Sequence, residues 1–535
     1  MSGILAVIGK RDPKDIKALA SRMSHRGPDG LSLFVTPKGS VLCQVRIPQT
    51  EGSTEKQPDT DQGSVYQIFD GTIYNHYQLI NEHLREHQFQ SSCDKEIMGC
   101  LYRKYGTGFC HLPDGIFAFV LVDGDKWMVA RDPIGVKPLY YGKDKKGNLY
   151  VASELKAIVD QVMDIQAFPP GHYMSHDQGM VKYYHPEWQN PDQAYINTNL
   201  DLLREKLIRA TQKQLTVDVP LGVFLSGGLD SGIIASIASR FLKASGHELH
   251  TFSIGINSKA PDIEAARVVA KFIGSTHHEV YFSIHEGIQA LRDVVYHLET
   301  YDVNTIRSAI PMYLLSKAVA QKGIRVILSG DGADEIFGGY LYFYKAPTPT
   351  EFQKETIVRV LRLSAAGCLR ADKSARAHGI EIRIPFLDKA FLASVIPFKP
   401  EDKIPSRTMG KPEKLVLRKA FEAIENPYLP ENILWRQKEQ LNDGVGYAWI
   451  DGLRQYGEQM ISDAEMAAAS DLYPHNTPDT KEAMLYRKIF HSHFPQDTAA
   501  RTVLKWVPKW QINKDPSGRV CENHFEKLTD VAVMT

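Results

Sequence analysis

The stretch Val219–Ala235, VPLGVFLSGGLDSGIIA, decides how the rest of the chain is read. Val219 to Leu225 is a short apolar, partly β-branched run that closes on Ser226-Gly227-Gly228, and from Leu229 the pattern turns helical. Two adjacent glycines let the backbone turn sharply and approach a ligand with no Cβ in the way. The N–H groups of Ser226 to Ser231 then stand at a helix N-terminus, where partial positive charge favours a phosphate. Asp230 would repel that phosphate unless a metal lies between them, and Mg²⁺, which seeks oxygen ligands, resolves the conflict. A bare SGG suits any strand–turn–helix junction; with Leu229-Asp230-Ser231 attached, phosphate binding is the better reading.

The flanking sequence agrees. From Leu200 to about Pro508 apolar runs alternate with helical patterns, and Leu249–Gly255, His278–Phe282 and Ile324–Leu328 read as parallel strands. This alternation predicts a parallel sheet wrapped by helices, with ligands at the carboxyl ends of the strands, where Ser226 and Ser329 both fall. Ser329–Tyr340, SGDGADEIFGGY, adds a second glycine-rich turn carrying Asp331, Asp334 and Glu335. Carboxylates this crowded repel one another unless a cation or a proton sits among them, which fits Mg²⁺ or a base of raised pKa.

Residues 2–180 differ in texture, with many short β segments (GILAVIG, VYQIFDG, IFAFVLVDG, WMVARD, LYVASE) and helical patterns near Lys14–Met23, Asn75–Glu86 and Glu96–Tyr105. Stacked antiparallel sheets covered by helices suit this pattern. Pro169-Pro170-Gly171 and the polar Pro186–Asn199 mark a link, so the expected domains are 1–185 and 200–535, joined by 186–199.

Lys+Arg and Asp+Glu balance at 63 each, so no global field steers the chain toward nucleic acid or an anionic membrane. The six cysteines form no CxxC pair, against both a disulfide framework and a zinc site. No apolar run is long enough to span a membrane, and the charged start does not read as a signal peptide. The expectation is a cytoplasmic, multidomain protein.

SGGLDS resembles the pyrophosphate loop of the N-type ATP pyrophosphatases, which split ATP between the α and β phosphates, and not the GxxxxGK[ST] loop of γ-phosphate users. With SGDGADEIFGGY, Lys438 in WRQKEQ, ETYDV at Glu299–Val303, PMYLLS, IEIRIPFLD, DGVGYAWID and DPSGR, the chain resembles the glutamine-hydrolysing (type B) asparagine synthetases from His25 to Arg519. The resemblance implies an α/β parallel-sheet ATP pyrophosphatase (HUP-like) domain that adenylates a carboxylate and lets ammonia displace AMP. It implies that Leu225, Ser226, Gly228, Asp230, Ser231, Ile254, Ser329 and Gly330 hold ATP and pyrophosphate, and that Asp230 and Asp334 hold Mg²⁺. Asp331 would deprotonate the incoming ammonium, Lys438 would neutralise leaving pyrophosphate, and Arg307 would hold a substrate carboxylate in bidentate fashion. Asn304, Ala309 and Ile310 replace hydroxyl residues of the family pattern and predict a pocket more apolar on one side, which leaves the acceptor open between aspartate and an analogue.

HRGPDG (His25–Gly30), IYNH, GIFAFVL, RDPIGVKPLYY and SELKAI resemble the N-terminal nucleophile type of glutamine amidotransferase, an αββα sandwich. In that family a cysteine after the initiator methionine attacks glutamine; Ser2 stands there instead, and a hydroxyl is far less acidic than a thiol. The family's NGE is Asp70-Gly71-Thr72 here, which puts an acceptor where the oxyanion needs an amide donor. Arg46 is kept in altered surroundings, and Asp94 keeps the place of the ligand for the glutamine amine. The expected degenerate site is therefore Ser2, Arg46, Asp70, Gly71 and Asp94, in a glutaminase shell without its chemistry.

The leading expectation is an ATP- and Mg²⁺-dependent asparagine synthetase using aspartate and free ammonia, with no nucleic-acid or membrane partner; the oligomeric state is left open, a homodimer being one option. The alternatives are a β-lactam synthetase-like amide-forming ligase on another amino-acid-like substrate, or a non-catalytic binding homologue.

Overall fold

A computed structural model describes residues 2–46, 59–61, 65–87, 89, 96–215, 219–423 and 425–521. The chain forms two compact units: residues 1–185 with 376–381 and 491–503, and residues 186–375, 382–490 and 504–535. The two short segments 376–381 and 491–503 lie within the stretch read from sequence as belonging wholly to the second domain.

Among the described residues of the first unit two six-stranded sheets stack, their strands pairing antiparallel. One sheet centres on Ser2–Ile8, flanked by Val41–Arg46 and Leu149–Ala152; the other centres on Gly115–Asp123, flanked by Val65–Ile73 and Lys126–Arg131. Period-two alternation aims Ile4, Ala6 and Leu42 of the first sheet at Ile68, Ala118 and Val120 of the second, and these residues form the core between the layers. The opposite face of the second sheet, with Phe69, Phe117 and Phe119, is covered by Leu79 of helix His76–His83 and by Ile97 and Leu101 of helix Glu96–Tyr105. Helix Pro13–Ser21 buries Ile16, Leu19 and Ala20, and starts where Asp12 accepts a 2.8 Å hydrogen bond from the Lys14 amide with Pro13 in the first turn. The order helix, sheet, sheet, helix is the predicted αββα sandwich.

The second unit is built on a five-stranded sheet in the order Thr276–Tyr281, His250–Gly255, Leu221–Phe224, Val326–Leu328, Glu381–Arg383. The first four strands pair in parallel. Strand Thr276–Tyr281 starts two residues before the predicted His278 and Val326–Leu328 two after the predicted Ile324, the usual uncertainty at element ends. Successive strands step outward from Leu221–Phe224 to one side; the chain then returns to its other side as Val326–Leu328. That reversal is a topological switch point, and it opens a crevice at the carboxyl ends of these two strands. Helix Leu229–Ala244 follows directly and is buried along most of its length, including Ile233, Ile234 and Ala238. Among the described residues no helix is long and apolar enough to cross a membrane.

Candidate active site

A cavity in the second unit sits at that crevice, and its lining includes Leu225, Ser226, Gly228, Asp230, Ser231, Ile254, Ser329, Gly330, Asp331, Asp334 and Lys438. The loop is shaped as the glycines require. Gly227 has φ +69°, and a Cβ there would lie 2.2 Å from the Ala266 amide nitrogen. Ser231 Oγ accepts from the Ser226 amide at 3.2 Å and lies 3.0 Å from Ser226 Oγ, so the loop folds back on its own helix. Gly228 caps helix Leu229–Ala244 without a side-chain hydrogen bond, which leaves first-turn N–H groups for a ligand. Gly330 brings the second turn against the first: a Cβ at that position would meet the Ser231 nitrogen at 2.7 Å.

The acidic residues of the two turns do not behave alike. Asp230 and Asp334 share one ammonium, that of Lys414, which contacts Asp230 Oδ2 and lies 2.5 Å from Asp334 Oδ1. Lys438 Nζ lies 2.6 Å from Asp334 Oδ2. Burial works to raise the Asp334 carboxyl, but the two ammoniums outweigh it and hold it down at about 2. Burial prevails at Asp230, which is pushed up despite Lys414, and its Oδ1 is buried with no hydrogen-bond partner among the described residues. Glu335 is pushed up to about 7 by burial and by the neighbouring Asp334 charge, and accepts a 2.5 Å hydrogen bond from the Tyr340 hydroxyl. Asp331 is engaged on both oxygens, by Ser329 Oγ and by the Arg370 guanidinium.

Arg307 is not where its predicted role requires. It does not line the cavity and is 1% exposed. Its guanidinium is taken in bidentate fashion by Glu482, at 2.8 and 2.6 Å, and again by Asp515, at 2.9 and 3.1 Å. The fork thus closes on the protein's own carboxylates and ties helix Val303–Gln321 to the DPSGR phrase. The predicted apolar side is made by other residues: Asn304 and Ser308 line the cavity together with Met312 and Leu315 of the same helix, whereas Ala309 and Ile310 are fully buried outside it. Three cations that do line it, Arg370, Lys414 and Arg418, lie in phrases not singled out from sequence. Their phrases, LRADKSAR and KPEKLVLRK, read as ordinary charged helix surface, and only tertiary packing brings them inside.

In the first unit, Asp70 is fully buried and meets two guanidinium groups, Arg26 at 3.0 Å and Arg376 at 3.5 Å. Arg26 also binds Glu154 at 2.7 Å, Lys156 pairs with the same Glu154, and Arg376 reaches Glu381 at 3.4 Å. Thr72 Oγ1 donates to Glu381 at 3.2 Å. Three cations therefore meet three carboxylates, and the position that faces an oxyanion in the family pattern holds an anion fixed by arginines. Gly71 has φ +141°, with the Ile116 carbonyl 2.0 Å from where a Cβ would stand, so only glycine fits between Asp70 and Thr72. Ser2 lies opposite Arg46 in the antiparallel ladder, and the Arg46 guanidinium donates to Ser32 Oγ. Asp94 lies outside the described residues.

Comparison with known proteins bears on both units. The asparagine synthase family profile matches residues 202–352 and 344–514, and that of the glutamine amidotransferase domain matches residues 1–214. An asparagine synthetase [glutamine-hydrolyzing] of Zea mays is 43% identical, over 99% of this chain and 95% of its own. The chain belongs to the asparagine synthetase family. Asparagine synthetase [glutamine-hydrolyzing] 2 of Oryza sativa subsp. japonica is 44% identical over 97% of this chain and 92% of its own, and the root asparagine synthetase of Pisum sativum is 42% identical over 99% and 98%. An asparagine synthetase-type enzyme is a carbon–nitrogen ligase with an amidotransferase-like first domain, which is the architecture of the two units.

Proposed function

We propose that this chain makes asparagine from aspartate, ATP and free ammonia, and that its first unit no longer hydrolyses glutamine. The observation that carries the reading is the convergence of the Ser226–Ser231 loop, Asp230, Asp334 and Lys438 on one cavity at the switch point. The loop N–H groups and the helix N-terminus bind phosphate oxygens. The Asp230 and Asp334 carboxylates, one with an unpartnered buried oxygen, fit a hard cation, and Mg²⁺ there supplies charge neutralisation for the phosphates. A carboxylate oxygen of aspartate attacks the α-phosphorus, pyrophosphate leaves beside Lys438, and ammonia then attacks the acyl carbon and releases AMP. Asp331 accepts the proton of the ammonium from an orientation fixed by Ser329 and Arg370. Arg307 acts at one remove, holding the helix whose Asn304 and Ser308 face the acceptor.

The loss of glutamine hydrolysis is supported by Asp70, because a buried carboxylate held by Arg26 and Arg376 has no donor to offer an oxyanion. The six cysteines form no CxxC pair, which suits a reducing compartment such as the cytoplasm. The test is AMP release with each substrate omitted in turn. We expect AMP only when ATP, aspartate and an ammonium salt are all present; AMP at the same rate without an acidic amino acid would refute the reading.

A further inference from the structure

Lys414 has no place in the reaction just described, yet it occupies the centre of its charge cluster. It is buried, and its backbone stands at φ 58°, in the left-handed region that non-glycine residues seldom adopt. Its ammonium bridges Asp230 Oδ2 and Asp334 Oδ1, one oxygen from each of the two carboxylates that fit a divalent cation. The fit is close: a Cβ on Gly339 would lie 2.1 Å from both Lys414 Cε and Asp334 Oδ1, so glycine at that point leaves room for the pair. Glu413 anchors the peptide behind it, taking Arg418 Nη2 at 2.7 Å, the Tyr344 hydroxyl at 2.9 Å and the Lys438 amide at 2.9 Å. The lysine's backbone is therefore fixed, while its four-carbon stem can still re-aim the charge.

A metal between these two carboxylates and the Lys414 ammonium compete for the same oxygens. With Lys438 also on Asp334, two lysines balance two aspartates, and a free divalent cation finds the site already neutral. A polyphosphate changes the balance, because its oxygens offer the ammonium another partner a short swing away. We infer that Lys414 is a positioning residue that latches the metal site: it holds Asp230 and Asp334 closed to a free divalent cation and releases them when a polyphosphate takes its ammonium. Metal and nucleotide then enter together. This inference rests on the proposed Mg²⁺ role of the two aspartates.

The test is Mn²⁺ binding to the full chain, followed by electron paramagnetic resonance, with and without inorganic pyrophosphate, for the wild type, Lys414→Met and Lys414→Arg. The wild type is expected to bind Mn²⁺ at least tenfold more tightly with pyrophosphate than without. Lys414→Met should bind Mn²⁺ alone at least tenfold more tightly than the wild type does, and Lys414→Arg should restore the dependence on pyrophosphate. Lys414→Gln serves the same purpose if the methionine variant does not fold. Mn²⁺ affinity of the neutral variants no higher than wild type, in the absence of pyrophosphate, would overturn the latch. AMP formation by the wild type scores the functional reading separately: a chain that makes AMP but shows no gain on losing the Lys414 charge refutes the latch alone.

Discussion

Each unit contains a buried, charge-balanced cluster, and the two clusters are built from different cations. Around Asp70 the cations are chiefly guanidinium groups, Arg26 and Arg376, with Glu154 and Glu381 completing the balance. Around Asp334 they are ammoniums, Lys414 and Lys438. A planar, permanently charged fork fixes the groups it joins, whereas an ammonium on a flexible stem can trade one oxygen for another. In the proposed function the arginine cluster is a structural brace. The lysine cluster keeps an unpartnered Asp230 oxygen and lines a cavity, so its charges stay available to a ligand. The arginine cluster is also sealed from solvent, whereas Lys438, Asp334 and Asp230 each keep part of their side chain exposed.

Breaking the lysine cluster has the largest expected effect. Lys438→Met should lower AMP formation by about 10³-fold, since one charge aimed at a developing anion is worth about that much, while leaving the chain folded by circular dichroism. Next is the brace. Asp70→Ala removes the partner of two buried guanidinium groups and should cost about 3–5 kcal/mol in urea unfolding, with AMP formation from ammonium retained at permissive temperature. A cost below about 1 kcal/mol would show that the arginines do not depend on Asp70.

Smaller effects sharpen the comparison. Glu482→Gln loosens the fork that holds Arg307 and should raise the KM for aspartate by about tenfold, with kcat falling less, as expected when only binding is disturbed. Acid titration separates the clusters further. Asp334 is held at about 2, below its ordinary value, so its linked stability is complete above about 4 and is lost as pH falls through 2. Lys438→Met raises that carboxyl and should therefore shift acid unfolding to higher pH. Ser2→Cys should change nothing in glutamine use, because the anion at Asp70 remains.

The fold was legible where sequence periodicity matches a layer. Ile4 and Ala6 alternate into a sheet interior, and the apolar run before Ser226 is a strand buried on both faces. The two glycine-rich turns at the cavity were legible because backbone geometry there demands particular residues, with Gly227 at positive φ and Gly330 touching the first turn. Side-chain pairing across long sequence distance was not. Arg307 looked like a substrate ligand until Glu482, 175 residues away, took its fork. Lys414 lies 184 residues from Asp230 in a phrase that reads as solvated helix. The meaning of Asp70 likewise needed Arg376, which is 306 residues away. Local sequence carries periodicity and turn chemistry; it does not carry which distant charge closes a buried pair.

The central claim is that nitrogen enters at the lysine-lined site without help from the braced one. Supplying amide-¹⁵N glutamine together with unlabelled ammonium, and weighing the asparagine formed, tests it directly. The account predicts unlabelled asparagine at a rate unaffected by glutamine; ¹⁵N in the product amide would contradict it.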